Sequence, residues 1–196
     1  MIAYIQGILT EKTPTYAVLD CAGLGFMLNI SLNTYSQLPD IQQTCKLYTH
    51  LSIKEDAHTL YAFHSVSERQ LFRLLIGVSG VGANTARMIL SAINPKDLVA
   101  YISSGNANVL QSIKGIGSKT AQRIIIELKD KVLKTDIEMS DAFVLTNNTY
   151  AEEALSALTL LGFSKQAAGK AVEKIIKSSS QTLSVEEIIK QSLKIL

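Results

Sequence analysis

One short phrase occurs twice in this chain, 35 residues apart. The first copy is Val78-Ser79-Gly80-Val81-Gly82-Ala83-Asn84-Thr85-Ala86, and the second is Ile113-Lys114-Gly115-Ile116-Gly117-Ser118-Lys119-Thr120-Ala121. Each reads Gly-apolar-Gly, a short polar stretch, then Thr-Ala opening an apolar helical run. Glycine reaches positive φ without steric cost and lets the backbone approach another molecule. The helix that follows begins with unpartnered N–H groups and the positive end of its dipole, a combination that favours an anion. A lone Gly-x-Gly also serves simply to end one helix and begin the next. The duplication, Lys114 and Lys119 beside the second copy, and Arg87 and Arg123 one turn into the following helices favour a paired grip on phosphates.

Charge is distributed as such a grip requires. Residues 64–134 hold ten Lys/Arg against four Asp/Glu, a net +6, whereas residues 1–63 hold three against five, a net −2. Residues 135–150 carry three acids and no base, and residues 151–196 carry six bases against five acids. The positive charge is thus confined to the segment that contains both glycine turns. No apolar run reaches the roughly 18 residues of a membrane span. The opening Met1-Ile2-Ala3-Tyr4-Ile5-Gln6-Gly7 lacks a basic region and a cleavage site, so no signal peptide is expected. Cys21 and Cys45 have no partners at metal-ligand spacing and read as small core residues in a reducing cytoplasm.

Residues 1–63 alternate between apolar and polar in short stretches separated by turn residues, the signature of strands. Ile2–Leu9, Thr15–Cys21, Gly25–Ser31, Lys46–Ser52 and Thr59–Phe63 are the expected strands, with a short helix at Asn33–Gln37. Five strands in this length suit a small Greek-key barrel of the OB type. Between the last two strands, Ile53-Lys54-Glu55-Asp56-Ala57-His58 forms a hairpin tip. It reads either as an ordinary solvated turn or, beside a DNA-binding surface, as an acidic pair that repels plain duplex.

Residues 64–134 read as wholly helical. Ser67-Glu68-Arg69-Gln70 fits a capping box, Asn94-Pro95 a stop and restart, and Ser118–Lys134 a long basic-faced helix. The second glycine turn ends in Lys119-Thr120 like a nucleotide-binding loop, but Ser118 stands where that loop needs glycine and no strand precedes it. No ATPase and no cofactor are expected within the chain. Residues 135–148 show neither helical nor strand period and read as an acidic linker. Residues 149–196 hold three short amphipathic helices, capped at Thr149-Tyr150-Ala151-Glu152, Ser164 and Ser184-Val185-Glu186-Glu187. So small a tethered bundle suggests partner binding, with an anchor at Leu158, Leu161 and Phe163 around Gly162. The expected architecture is therefore α+β and multidomain, an OB-fold β-barrel, an all-α domain and a C-terminal three-helix bundle.

The paired glycine turns resemble the helix–hairpin–helix DNA-binding motif in tandem. The whole order of segments resembles the RuvA family of Holliday-junction-binding proteins. The residues that carry the likeness are the opening heptapeptide, Lys54-Glu55-Asp56 with Leu60-Tyr61-Ala62-Phe63, both hairpins, Glu127-Leu128-Lys129-Asp130-Lys131, and Leu160-Leu161-Gly162-Phe163. The resemblance implies a homotetramer, or an octamer on DNA, that holds a four-way junction open during recombination and repair. It implies DNA contacts at Gly80, Val81, Gly82, Asn84, Thr85, Gly115, Ile116, Gly117, Ser118, Lys119, Thr120 and Arg123, through the minor groove. Glu55 and Asp56 become an acidic pin at the crossover, and the bundle tethers the hexameric RuvB ATPase, with the RuvC resolvase sharing the junction. The family often has Pro-Lys after the first hairpin and two lysines in the second; this chain has Ala83-Asn84 and Ser118-Lys119. The rival reading is a helix–hairpin–helix repair enzyme, a glycosylase or nuclease, which needs a catalytic Asp with Lys or a carboxylate cluster. A single-strand-binding barrel is disfavoured by the absence of Trp.

Overall fold

A computed structural model describes residues 2–134, 147–178 and 183–196, so that most of the expected linker at 135–148 lies outside the described residues. The chain divides into two compact units, residues 1–139 and 140–196.

The first unit begins with five strands, β1 (Tyr4–Lys12), β2 (Tyr16–Cys21), β3 (Leu24–Ile30), β4 (Thr44–Ile53) and β5 (His58–Phe63). They close into a barrel in the order β1-β2-β3-β5-β4, with β4 returning to β1. All pairs are antiparallel except β3 with β5. Alternation along each strand sends Ile5, Leu9, Leu19, Leu28 and Leu47 into the barrel. Cys45 joins them, but Cys21 is only half-buried and its thiol donates to the Gln6 carbonyl, so it is a rim residue rather than core. A short helix, α1 (Leu32–Gln37), crosses between β3 and β4.

The remaining elements of this unit are helices: α2 (Val66–Ile76), α3 (Ala83–Ala92), α4 (Pro95–Ser104), α5 (Ala107–Gln111) and α6 (Ser118–Lys134). Their shared core includes Leu71, Phe72, Leu90, Leu98, Ile124 and Leu128. It also takes in Tyr61 and Phe63 from β5, whose rings meet Phe72 at centroid distances of 5.1 and 4.9 Å. The boundary expected at residue 63 is thus a change of secondary structure within continuous packing.

Polar contacts fix the barrel to the helices. The helix α2 is capped by Ser65, not Ser67, and Val66 is its first residue. Glu68 does not close a capping box from Ser67. Its carboxylate is fully buried and accepts from the hydroxyls of Ser31 and, at 2.8 Å, Thr34. Both hydroxyls sit at the start of α1, where Ser31 is the cap. Arg69 donates to the Ala3 carbonyl at 2.7 Å, and the Leu32 N–H donates to Ser91 Oγ on α3.

The second unit packs α7 (Asn147–Leu160), α8 (Lys165–Ser178) and α9 (Val185–Ser192) around Ala154, Leu158, Ala168, Val172 and Ile188. The first of these helices begins two residues before the expected cap at Thr149. Ser184 and Glu187 form the expected capping box of α9.

Burial raises the Glu68 carboxyl above its ordinary value of 4.5, against the opposing pull of the Ser31 and Thr34 hydroxyls. A carboxyl raised in the folded state helps folding most below its unfolded value and loses that contribution as pH rises through the folded value. Glu68→Gln is therefore expected to flatten the pH dependence of stability from about pH 4.5 upward. Glu68→Ala strands two buried hydroxyls and should cost about 2–4 kcal/mol. Urea titrations between pH 4.5 and 8 check both.

Candidate nucleic-acid interface

The two hairpins adopt the same backbone. Gly80 and Gly115 have φ of +87° and +89°, the left-handed region that a side chain opposes. The turn then closes by a bond from Val81 N–H to the Val78 carbonyl at 3.0 Å, matched by Ile116 to Ile113 at 3.1 Å. Each apolar residue between the glycines is buried, so Val81 and Ile116 plug the hairpins into the core. Their side chains do not face a ligand; only their backbone is available to one.

Gly82 and Gly117 play a different part. Gly82 has an ordinary φ of −82°, and Gly117 is not among the glycines with positive φ. Among the described residues, apart from each glycine's own chain neighbours, nothing lies within 4 Å of where a Cβ would stand on either. Only the first glycine of each pair therefore supplies the positive-φ turn, while the second faces open space outside that region. Each second glycine accepts the first helical bond, from Ala86 at 2.9 Å and Ala121 at 3.0 Å. No side chain caps α3, which leaves the N–H groups of its first turn to an outside acceptor.

The side chains expected at the hairpins divide. Asn84, Ser118 and Lys119 are exposed, and Thr85 and Thr120 are half-buried, all in the first turns of α3 and α6. Asn84 Oδ1 accepts from the Tyr61 hydroxyl at 3.4 Å, which links the first hairpin to β5. Two arginines counted among the cations for DNA are engaged with protein oxygens. Arg87 donates to the Thr15 carbonyl at 3.1 Å and to Asn29 Oδ1 at 3.0 Å, fastening α3 to the barrel. Arg123 is exposed, yet its Nη1 donates to both the carbonyl and the hydroxyl of Ser79, each at 3.1 Å. Spacing along a helix puts a guanidinium near a hairpin but says nothing of which oxygens it meets.

Glu55 and Asp56 lie at the tip between β4 and β5, where Lys54 N–H closes the turn on the Ala57 carbonyl at 2.9 Å. Residues 53–58 are all exposed, so the carboxylates are in water. The tip is within about 17 Å of strand from Tyr61, five residues after Asp56 and the residue that holds Asn84.

In the second unit the expected anchor breaks up. Leu158 is fully buried in the bundle core, so it is withdrawn as a partner contact. Phe163 is half-buried against the same core, with its N–H bonded to the Leu158 carbonyl. Leu161 is 61% exposed and its neighbour Leu160 89% exposed. An open apolar groove of about 300 Å³ between α7 and α8 was missed; Ala151, Leu155, Gly169, Val172 and Ile176 line it, rimmed by Glu152 and Glu173. Its residues fall on two helices, and only the pairing of those helices brings them together.

The geometry predicts a contrast in stability. Gly80→Val forces a β-branched residue into the left-handed region and should cost about 1–3 kcal/mol. Gly82→Ala meets open space at ordinary φ and should stay within about 1 kcal/mol. Thermal unfolding of the two variants measures the difference.

Comparison with known proteins adds three family matches: "RuvA N terminal domain" over residues 1–62, "SAM-like Helix-hairpin-helix tandem" over 72–130 and "RuvA, C-terminal domain" over 150–196. A protein of Christiangramia forsetii is 53% identical over 194 residues, and one of Flavobacterium psychrophilum 54% identical over 194, each alignment spanning 99% of both chains. A Bacteroides fragilis protein is 50% identical over 202 aligned positions, again across 99% of both. All three bear the description "Holliday junction branch migration complex subunit RuvA".

Proposed function

This chain belongs to the RuvA family, and we propose that it is the Holliday-junction-binding subunit of a DNA branch migration complex. The observation that carries the mechanism is the repeated hairpin whose second glycine lies outside the positive-φ region with, among the described residues, open space where a side chain would stand. Such a position costs the free chain nothing in strain and leaves space for a sugar-phosphate backbone to reach the N–H groups behind it. Backbone donors read no base, so this grip is independent of sequence.

Selectivity for a branch point then rests on shape and repulsion. Glu55 and Asp56 project from the barrel on a short turn, and their charge opposes duplex lying across them. At a four-way junction the same acids occupy the open centre and help to keep strands apart. Copies of the chain arranged around the junction supply one tip each, which a homotetramer, or two stacked as an octamer, accomplishes.

The C-terminal unit serves in this reading as the tether for the RuvB motor, with exposed Leu160 and Leu161 and the α7–α8 groove as the available apolar surfaces. The motor supplies ATP hydrolysis, and this chain acts as the non-enzymatic targeting subunit. A RuvC-type resolvase has access to the face of the junction left open. The complex works in the cytoplasm, with the DNA; among the described residues no helix is long and apolar enough to cross a membrane. The nuclease alternative asks for a carboxylate cluster, and among the described residues no three His, Cys, Asp or Glu side chains gather as one that holds a metal ion.

Binding of synthetic four-way junctions and linear duplex, compared by fluorescence anisotropy, tests this function. Gly82→Glu and Gly117→Glu should weaken both ligands alike. Glu55→Gln with Asp56→Asn should strengthen duplex binding and erode the preference for the junction; equal changes on both ligands would rule out the pin. Asn84→Lys with Ser118→Lys should steepen the dependence of log affinity on log salt by about 0.9 per new phosphate contact.

A further inference from the structure

The repeat that places Gly80 against Gly115 also places Met88 against Arg123, since both pairs are 35 residues apart. Each of these two side chains reaches across to the opposite hairpin. Arg123, on the helix that follows the second hairpin, gives both of its Nη1 bonds to Ser79 of the first. Met88, on the helix that follows the first hairpin, brings Cε to 3.8 Å from the Cβ position of Gly115 in the second. Ser79 immediately precedes Gly80, so both braces land on the left-handed corner of the partner turn.

We propose that Arg123 is a positioning residue for the first hairpin, and that with Met88 it forms a reciprocal brace locking the two hairpins into one DNA-gripping unit. The inference rests on the reading that both hairpins bind DNA, and it reassigns Arg123 from a phosphate contact of its own hairpin. The corner of a tight turn in a left-handed glycine is the part of the loop freest to rock. A guanidinium bonded to the carbonyl and the hydroxyl of one residue fixes it in two directions, which a single ammonium does less well. At the other corner the terminal methyl of exposed Met88 stands against the space where a Gly115 side chain would begin, which limits how far that turn can rock. Two loops held at fixed separation present their N–H groups together. A duplex gripped at one hairpin then meets the second already in place.

The test separates this role from direct contact with DNA by asking which hairpin the arginine serves. Arg123→Met copies the residue at the equivalent position of the other repeat and keeps an apolar stem while removing the donors. In the full chain it is expected to weaken four-way-junction binding about tenfold, the equivalent of one charge-assisted bond. Added to Gly82→Glu, which disables the first hairpin, it should cause less than about a twofold further loss if its effect runs through that hairpin. Added to Gly117→Glu, it should keep its full effect. Full loss in the Gly82→Glu background, with or without loss in the other, would make Arg123 a contact of its own hairpin and overturn the proposal.

Amide hydrogen exchange on the DNA-free chain gives a readout independent of DNA binding. Arg123→Met should accelerate exchange at residues 78–82, some 40 positions away in sequence, while residues 113–117 keep their protection. Unchanged exchange at 78–82 would refute the brace even if DNA binding fell. Faster exchange there in a protein whose wild type ignored DNA would leave the brace standing and remove the functional reading beneath it.

Discussion

A turn that only glycine enters without strain, closed by one backbone bond three residues long, sets the rest of the DNA-facing unit in place. The Val78–Val81 and Ile113–Ile116 bonds force the intervening glycine to positive φ and the following apolar side chain inward. Burying Val81 and Ile116 ties each loop to the helical core. The loop is therefore rigid where it meets the protein and bare where it meets solvent. Function needs both properties, because a mobile loop would lose ordering entropy on binding and a covered one could not be approached.

The same economy joins the barrel to the helices. The α1 cap of the barrel and the first turn of α2 share the buried carboxylate of Glu68, and Arg87 stitches α3 to two barrel oxygens. Tyr61 carries the connection to the first hairpin itself. The hairpin tip with Glu55 and Asp56 springs from the strand that holds Tyr61. The position of the acids relative to the first hairpin is thus set by one strand and a buried aromatic cluster, not by a flexible joint. The pin proposed for these acids, repelling duplex at one place and tolerating a branch point beside it, would depend on that fixity.

Much of this was legible in the sequence because it depends on local order. Positive φ at Gly80 and Gly115, the five alternating strands, the stop at Asn94-Pro95 and the Ser184–Glu187 cap are each set by residues within a few positions. What the sequence concealed depends on partners far along the chain. Glu68 has the spacing of a helix cap but spends its charge on Ser31 and Thr34, 37 and 34 residues earlier. Arg87 and Arg123 have the spacing of phosphate-binding cations, yet bond to oxygens 72 and 44 residues away. Leu158 shares the α7 sequence with exposed Leu160, and only the packing of three helices decides which of them is core.

The bonding of those arginines to protein oxygens bears on selectivity. A surface of free cations binds any phosphate polymer, and that attraction grows with each counterion released. Here the first hairpin carries uncharged Asn84, and the arginines nearest both hairpins donate to protein oxygens. The grip then rests on backbone donors, whose reach is short and whose direction is fixed, with exposed Lys114 and Lys119 adding charge at the second hairpin alone. Such a grip gains little from DNA that merely passes near, and most from DNA that fits both hairpins at once. In the proposed role, repulsion from the two exposed carboxylates then tilts the balance from a straight duplex to a branched one.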